Sequence, residues 1–260
     1  MEAILFLRKN HKKKLGGLSI TNKINKEVIA IVKNLSKKKD NIRYVYNNPN
    51  SNDHNISLPD NDDYVCIPHI PLCLSRFIAF LSGESGLGKT SLMYYFIVQA
   101  YANITKKIYV ISGKDDIKDD VNLKKLKYIK YIKGECLDEL TYKQFKDSLV
   151  CFDDIDNWEF HKPAIKLMNN IVEKGRSLKI NCIYISHLAS KLSESPIYKE
   201  VNFYCTNNVS NNRMINTHLN LSDNVIKELE FYLKTDPFVC YNKTFQTIVT
   251  DKRIFKLNDE

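Results

Sequence analysis

The stretch Phe77-Ile-Ala-Phe-Leu81-Ser-Gly83-Glu-Ser-Gly-Leu-Gly-Lys89-Thr90 decides the fold. Its five consecutive apolar residues read as a buried strand, and the pattern from 91 to 102 reads as a helix. Between them, 83–90 fits G-x-x-x-x-G-K-[ST] at every fixed position. Glycines let the backbone curl so that successive N–H groups point inward at phosphates, while the following helix presents its positive end. Gly83, Glu84, Ser85, Gly86, Leu87, Gly88, Lys89, Thr90 and Ser91 are therefore the candidate cradle for a nucleoside triphosphate, ATP, with its Mg²⁺. Lys89 is expected to reach the β- and γ-phosphates, and the Thr90 hydroxyl to bind the metal. A chance match arises on the order of once per hundred chains of this length. The flanking strand and helix make it rarer.

Downstream, short apolar runs at 108–111, 149–152, 182–185 and 201–205 alternate with helical patterns. In 164–174, Ile165, Met168, Ile171 and Val172 fall on one helix face. Continuous apolar strands separated by helices predict a three-layer α/β domain around a mostly parallel sheet. Asp153 and Asp154 follow the 149–152 strand. An aspartate at such a tip, Asp153, can hold Mg²⁺ directly or through water, and Asp154 can polarise an attacking water. The plainer alternative is that Asp154 and Asp156 cap the next helix. Ser186 and His187 end the next strand, at the sheet edge where α/β proteins bind ligands, so His187 is either a γ-phosphate sensor or a surface histidine. Arg176, after a helix and a glycine, is either solvent-exposed or aimed at a neighbouring subunit.

Upstream, the composition changes. The chain has 260 residues and a net charge of +9, and residues 1–40 hold eleven Lys or Arg against three acids. Such a balance suits a polyanion such as nucleic acid. The basic segment can be a DNA grip, an arm that docks on a protein partner or a solvated tail, since runs such as Lys12–Lys14 and Lys37–Lys39 are often simply wet. Ile24, Val28, Ile31, Val32 and Leu35 recur at helical spacing, which predicts a helix within 18–36. The Asn-, Asp-, Pro- and Ser-rich stretch 47–63 reads as a linker or long loop. These signals divide the chain into a basic segment at 1–63 and a main domain at 64–260. The segment 124–130 is a DNA-facing surface or equally a wet helix face. Seven widely spaced cysteines without a C-x-x-C pair point to free thiols. No apolar run approaches the roughly 18 residues of a membrane span, and no secretory signal is evident, so an intracellular site is expected.

Together these residues resemble the FtsK–HerA superfamily of DNA-pumping ATPases, within the ASCE class of P-loop NTPases. Within that superfamily they are most similar to the genome-packaging ATPases of nucleocytoplasmic large DNA viruses and virophages. The likeness runs from Pro68-His-Ile-Pro-Leu72 through the phosphate loop and the Asp-Asp strand. It is strongest from Gly175-Arg176 into Ile180-Asn-Cys-Ile-Tyr-Ile-Ser-His187, and it includes Asp236-Pro-Phe-Val239. The resemblance implies Lys89 and Thr90 for nucleotide and metal, Asp153 for metal, and Asp154 in the catalytic-acid position. It implies Arg176 as an arginine finger acting between subunits, with Arg213 in reserve. It also implies that the fourth strand lies between the phosphate-loop and Asp-Asp strands. His187 stands where a glutamine is usual in the family, and Ser177 where a histidine is common.

The implied function is ATP-driven translocation of double-stranded DNA into a capsid by a ring of five or six copies. A capsid or portal protein would be the partner and no membrane would be involved. The host cytoplasm, a viral factory or the virion would be the location. Two other readings stand beside it. A nucleoside or nucleotide kinase needs an arginine-rich lid, and the six arginines (8, 43, 76, 176, 213 and 253) do not cluster. A regulatory or AAA-type loader of a replication or transport complex needs a helical lid, for which the chain after His187 leaves limited room.

Overall fold

The computed structural model describes residues 17–21, 27–34, 42–48, 50–51, 53–59, 63–86, 88–187, 195–207 and 222–257. The chain divides into two compact units, one of residues 75–221 and one of 1–74 together with 222–260.

The second of these units is antiparallel. Strands β1 (Gly17–Thr21), β2 (Val28–Asn34), β3 (Ile42–Asn48) and β5 (Tyr64–Pro68) form one sheet in the order β1-β3-β2-β5. Strand β4 (Asn55–Ser57) pairs with β14 (Arg253–Lys256), which pairs with β13 (Thr247–Val249) and through it with β12 (Val239–Asn242). Ile56 thus sits opposite Ile254, and the Cys66 N–H donates to the Asp251 carbonyl at 2.7 Å. Two expectations change here. The stretch 47–63 contains β4 and so is not a free linker, and residues before and after position 63 share one unit with the C-terminal strands. The helix expected within 18–36 is instead the strands β1 and β2. Val28-Ile-Ala-Ile-Val32 is mostly β-branched and buried on both faces, and a two-sided strand mimics helical spacing. Ile24 and Leu35, cited for the helix, lie outside the described residues, as do Lys12–Lys14 and Lys37–Lys39.

Beyond β5, His69 is buried, its N–H donates to the Ile29 carbonyl at 2.8 Å, and its Nδ1 meets no partner among the described residues. Burial pushes its imidazole pKa down to about 4. The unfolded chain therefore binds a proton that the fold refuses between pH 6.5 and 4. Stability from this group is present above pH 6.5 and is lost as pH falls through that window, by about 3 kcal/mol in all. Urea unfolding at pH 6.5 and pH 5 should show the wild type losing about 2 kcal/mol more than His69→Gln. Equal losses would exclude His69 as the acid-labile group.

The unit of residues 75–221 carries the parallel sheet. Its elements are β6 (Ile78–Ser82), α1 (Lys89–Asn103), β7 (Ile108–Ser112), β8 (Ile129–Ile132), β9 (Leu149–Asp153), α2 (His161–Lys174), β10 (Asn181–Ser186) and β11 (Phe203–Thr206). The order is β11-β6-β10-β9-β7-β8 with every pair parallel, so all six carboxyl ends share one edge. β10 lies between β6 and β9, as the resemblance implies. The segment 124–130 is not a helix. A 3₁₀ turn at Leu123–Lys125 leads into β8, whose Ile129 is buried beside β7.

Buried aromatic rings tie helix to sheet. Phe77, Phe96 of α1 and Phe203 of β11 meet edge to face at 5.2–5.8 Å, and Phe80 stacks on Tyr184 at 5.3 Å. One face of α1 (Leu92, Met93, Phe96, Ile97, Ala100) and one face of α2 (Ala164, Leu167, Met168, Ile171, Val172) are buried. Arg76 is a structural cation. It is buried just ahead of β6, and its guanidinium donates to the carbonyls of Ile171, Val172 and Ile180, satisfying the end of α2. All seven cysteines are free thiols, and only Cys73 and Cys136 are exposed. Among the described residues, no helix is long and apolar enough to cross a membrane.

Candidate active site

The carboxyl end of β6 turns into the glycine loop. Gly83, Gly86 and Gly88 have φ of 135°, 81° and 83°, left-handed values that other residues rarely adopt, and α1 begins at Lys89. The Lys89 ammonium donates to the carbonyls of Gly83 (2.8 Å) and Glu84 and lies 3.2 Å from His187 Nδ1. A lysine can only donate, so Nδ1 is the acceptor and Nε2 carries the imidazole proton. Nε2 faces Asp154 Oδ2 at 3.7 Å. His187 thus spans the phosphate loop and the acidic strand tip. Burial, and next the charge of Lys114, hold Lys89 below the ordinary lysine range.

Asp153 is the last residue of β9, paired in register with Ile185 on one side and Ser112 on the other. Its side chain is fully buried, and burial raises its pKa above the usual carboxylate range. Oδ2 faces Lys114 Nζ at 3.3 Å and Ser112 Oγ at 3.4 Å. Oδ1 is buried with no hydrogen-bond partner among the described residues. An orphaned carboxylate oxygen is costly unless a cation or donor meets it, so Asp153 fits a hard divalent cation such as Mg²⁺. Thr90, in the first turn of α1, can supply a hydroxyl oxygen to the same ion.

Asp154 adopts φ 52° and leaves its side chain part-exposed beside His187 and Lys114. It does not cap the next helix. The N-cap of α2 is Phe160, and Asp156 is buried, accepting from the Tyr184 and Ser186 hydroxyls. Ser186 is therefore committed to Asp156, and His187 is the polar group at the tip of β10 that faces the loop. Arg176 lies elsewhere. It precedes β10, at the opposite sheet edge from the loop, and is largely exposed and paired with Glu200 Oε2 at 2.8 Å. β10 alone spans roughly 20 Å at about 3.3 Å per residue, so Arg176 cannot serve its own chain's loop without a large rearrangement. Leu87 and Arg213 lie outside the described residues.

Two neighbours of the site escaped the sequence reading. Asn207, one residue past β11, accepts the Glu84 N–H through Oδ1 at 3.0 Å and packs where a Cβ on Gly83 would be. Lys114, two residues past β7, faces both aspartates. The rule that located Asp153, a polar residue just beyond a parallel strand's carboxyl end, also applies to 205–207 and 112–114.

No protein-family model matches the chain, and no curated protein matches it. Solved structures do. The pCW3 conjugation coupling protein TcpA, in a monomer form with ATPγS, is 14% identical over 88% of this chain and 78% of its own, with a TM-score of 0.50. The chain therefore shares its fold with TcpA. Lower-scoring likenesses include the genome packaging NTPase B204 from Sulfolobus turreted icosahedral virus 2 in complex with sulfate (17% identity, 72% of this chain and 99% of that one, TM-score 0.46). Another is the cytoplasmic domain of the Thermomonospora curvata Type VII secretion ATPase EccC (11%, 79% and 29%, TM-score 0.47).

Within the parallel-sheet unit, Gly113 sets how closely β7 approaches the acidic tip. A Cβ there would stand 2.3 Å from the Asp154 carbonyl and 3.1 Å from Trp158 Cβ, whereas one on Gly86 would meet nothing within 4 Å. Gly113→Ala should lower stability to urea by about 2 kcal/mol through overpacking. Gly86→Ala should cost only the strain of its φ, about 1 kcal/mol. Equal losses would mean that the close approach at Gly113 is not a constraint.

Proposed function

We propose that the protein is an ATP-driven translocase of double-stranded DNA that packages a viral genome into a preformed capsid. The carrying observation is the polar chain Lys89–His187–Asp154–Lys114–Asp153, which joins the glycine loop to the acidic strand tip across one sheet edge. The fold shared with TcpA and the sequence resemblance support the DNA-pumping reading, and the packaging role rests on the resemblance.

In this reading the loop N–H groups and Lys89 grip the triphosphate, and Thr90 and Asp153 hold Mg²⁺. The metal supplies neutralisation of phosphate charge when bound. Asp154 orients the attacking water and accepts its proton. His187, hydrogen-bonded to Lys89, registers the presence of the γ-phosphate and passes it to Asp154. Arg176, at the far sheet edge, reaches the site of a neighbouring copy in a ring of five or six. Arg213 is the reserve finger. Lysine-rich surfaces bind DNA phosphates without reading sequence, and a capsid or portal protein receives the ring in the host cytoplasm or viral factory.

ATP hydrolysis should rise on adding duplex DNA and lose that stimulation steeply as salt increases, because phosphate contacts release counterions. Lys89→Ala should hydrolyse nothing. Identical wild-type rates with and without duplex at every salt concentration would contradict translocation. For the finger, Arg176→Ala mixed with Lys89→Ala should recover part of the activity, since each supplies what the other lacks. An absence of recovery at all mixing ratios would argue against catalysis in trans.

A further inference from the structure

The turn after β7 is built to deliver one cation. The Ser112 hydroxyl accepts the Lys114 N–H at 3.0 Å, and Gly113 lets the turn lie against the Asp154 carbonyl. The Lys114 ammonium then stands 3.3 Å from Asp153 Oδ2 and 3.9 Å from Asp154 Oδ2. The Asp153 carboxylate is sealed from solvent, whereas the Lys114 side chain is 33% exposed. Lys114 also lines an open cleft of about 210 Å³ with Tyr131, Lys133 and Trp158, so its side chain has space to move away from the aspartates. Lys89, the other cation nearby, is occupied by loop carbonyls. One oxygen of Asp153 is thus neutralised by a removable lysine while the other meets no partner among the described residues.

We propose that Lys114 is a positioning residue whose ammonium is the resident counter-ion of the Asp153–Asp154 pair, competing with the divalent cation for Asp153. It thereby sets how much divalent cation the site requires. This inference rests on the reading of Asp153 as the metal-holding carboxylate. A buried carboxylate needs a positive partner, and two cations on one such carboxylate repel, so the lysine weakens the hold on an arriving metal ion.

The test uses Mn²⁺ alone, with free metal measured by electron paramagnetic resonance on the full chain. Lys114→Met should bind Mn²⁺ about tenfold more tightly than wild type. Lys114→Arg, which keeps the charge, should stay near the wild-type value. Adding Asp153→Asn to Lys114→Met should remove the gain. The proposal is overturned if Lys114→Met binds Mn²⁺ no more tightly, or if the gain survives Asp153→Asn. Should Lys114→Met not fold, Lys114→Gln, which retains a donor for Asp153, is judged by the same criteria. In parallel, the Mg²⁺ needed for half-maximal binding of a fluorescent ATPγS analogue should fall in Lys114→Met. If wild type bound none of that analogue at any Mg²⁺ concentration, the nucleotide reading would fail, while the Mn²⁺ result would still decide the role of Lys114.

Discussion

Two strands carry the parts that must cooperate, and a third keeps them apart. β6 bears the glycine loop and β9 bears the acids, with β10 hydrogen-bonded between them. Strands lie about 4.8 Å apart, so the loop and the Asp153 tip are held roughly 10 Å from each other across the sheet edge. That gap is wide enough for phosphate and metal. His187, at the end of the intervening strand, fills the middle and touches both sides. The register of three parallel strands therefore sets the dimensions of the site. The buried aromatic and aliphatic side chains behind them keep that register from slipping, because a one-residue shift would reverse every side chain.

The electrostatics of the edge follow from the same geometry. Two lysines and two aspartates converge there, yet only Asp153 is fully sealed from water. A carboxylate in that position raises the cost of its own charge and so demands a counter-ion. Lys114 supplies one on one oxygen, and the other oxygen has no partner among the described residues. The arginines divide by environment. Arg76, buried, is consumed by three backbone carbonyls, while Arg176, exposed and held by a single surface ion pair, keeps its guanidinium accessible. A surface ion pair of that kind is weak and readily exchanged.

The parallel sheet was legible because its strands are unbroken apolar runs whose ends coincide with polar residues of obvious chemistry. The runs 77–81, 108–111, 149–152 and 182–185 each match a strand to within a residue, and 201–205 overlaps β11. β8 was missed because Ile129-Lys-Tyr-Ile132 is a half-polar edge strand with little apolar continuity. β2 was mistaken for a helix because burial on both faces erases the period of two. The pairing across position 63 was hidden for another reason. β4 and β14 pair across roughly two hundred residues, and no local pattern announces so distant a partner. In the site, Asp153 and Lys89 stood out by motif, whereas Asn207 and Lys114 belong to no motif and acquire meaning only from the strand order. Whether Asp154 or Asp156 caps a helix was likewise undecidable until Tyr184 and Ser186 were seen to hold Asp156.

The most direct measurement is a high-resolution crystal structure of the protein grown with magnesium and a non-hydrolysable ATP analogue. The account predicts the triphosphate wrapped by residues 83–90, with the metal between the Thr90 hydroxyl and Asp153 and with Lys89 moved from the loop carbonyls onto phosphate oxygens. A map with the analogue bound elsewhere, or with that loop empty and Lys89 still on the Gly83 carbonyl, would contradict it.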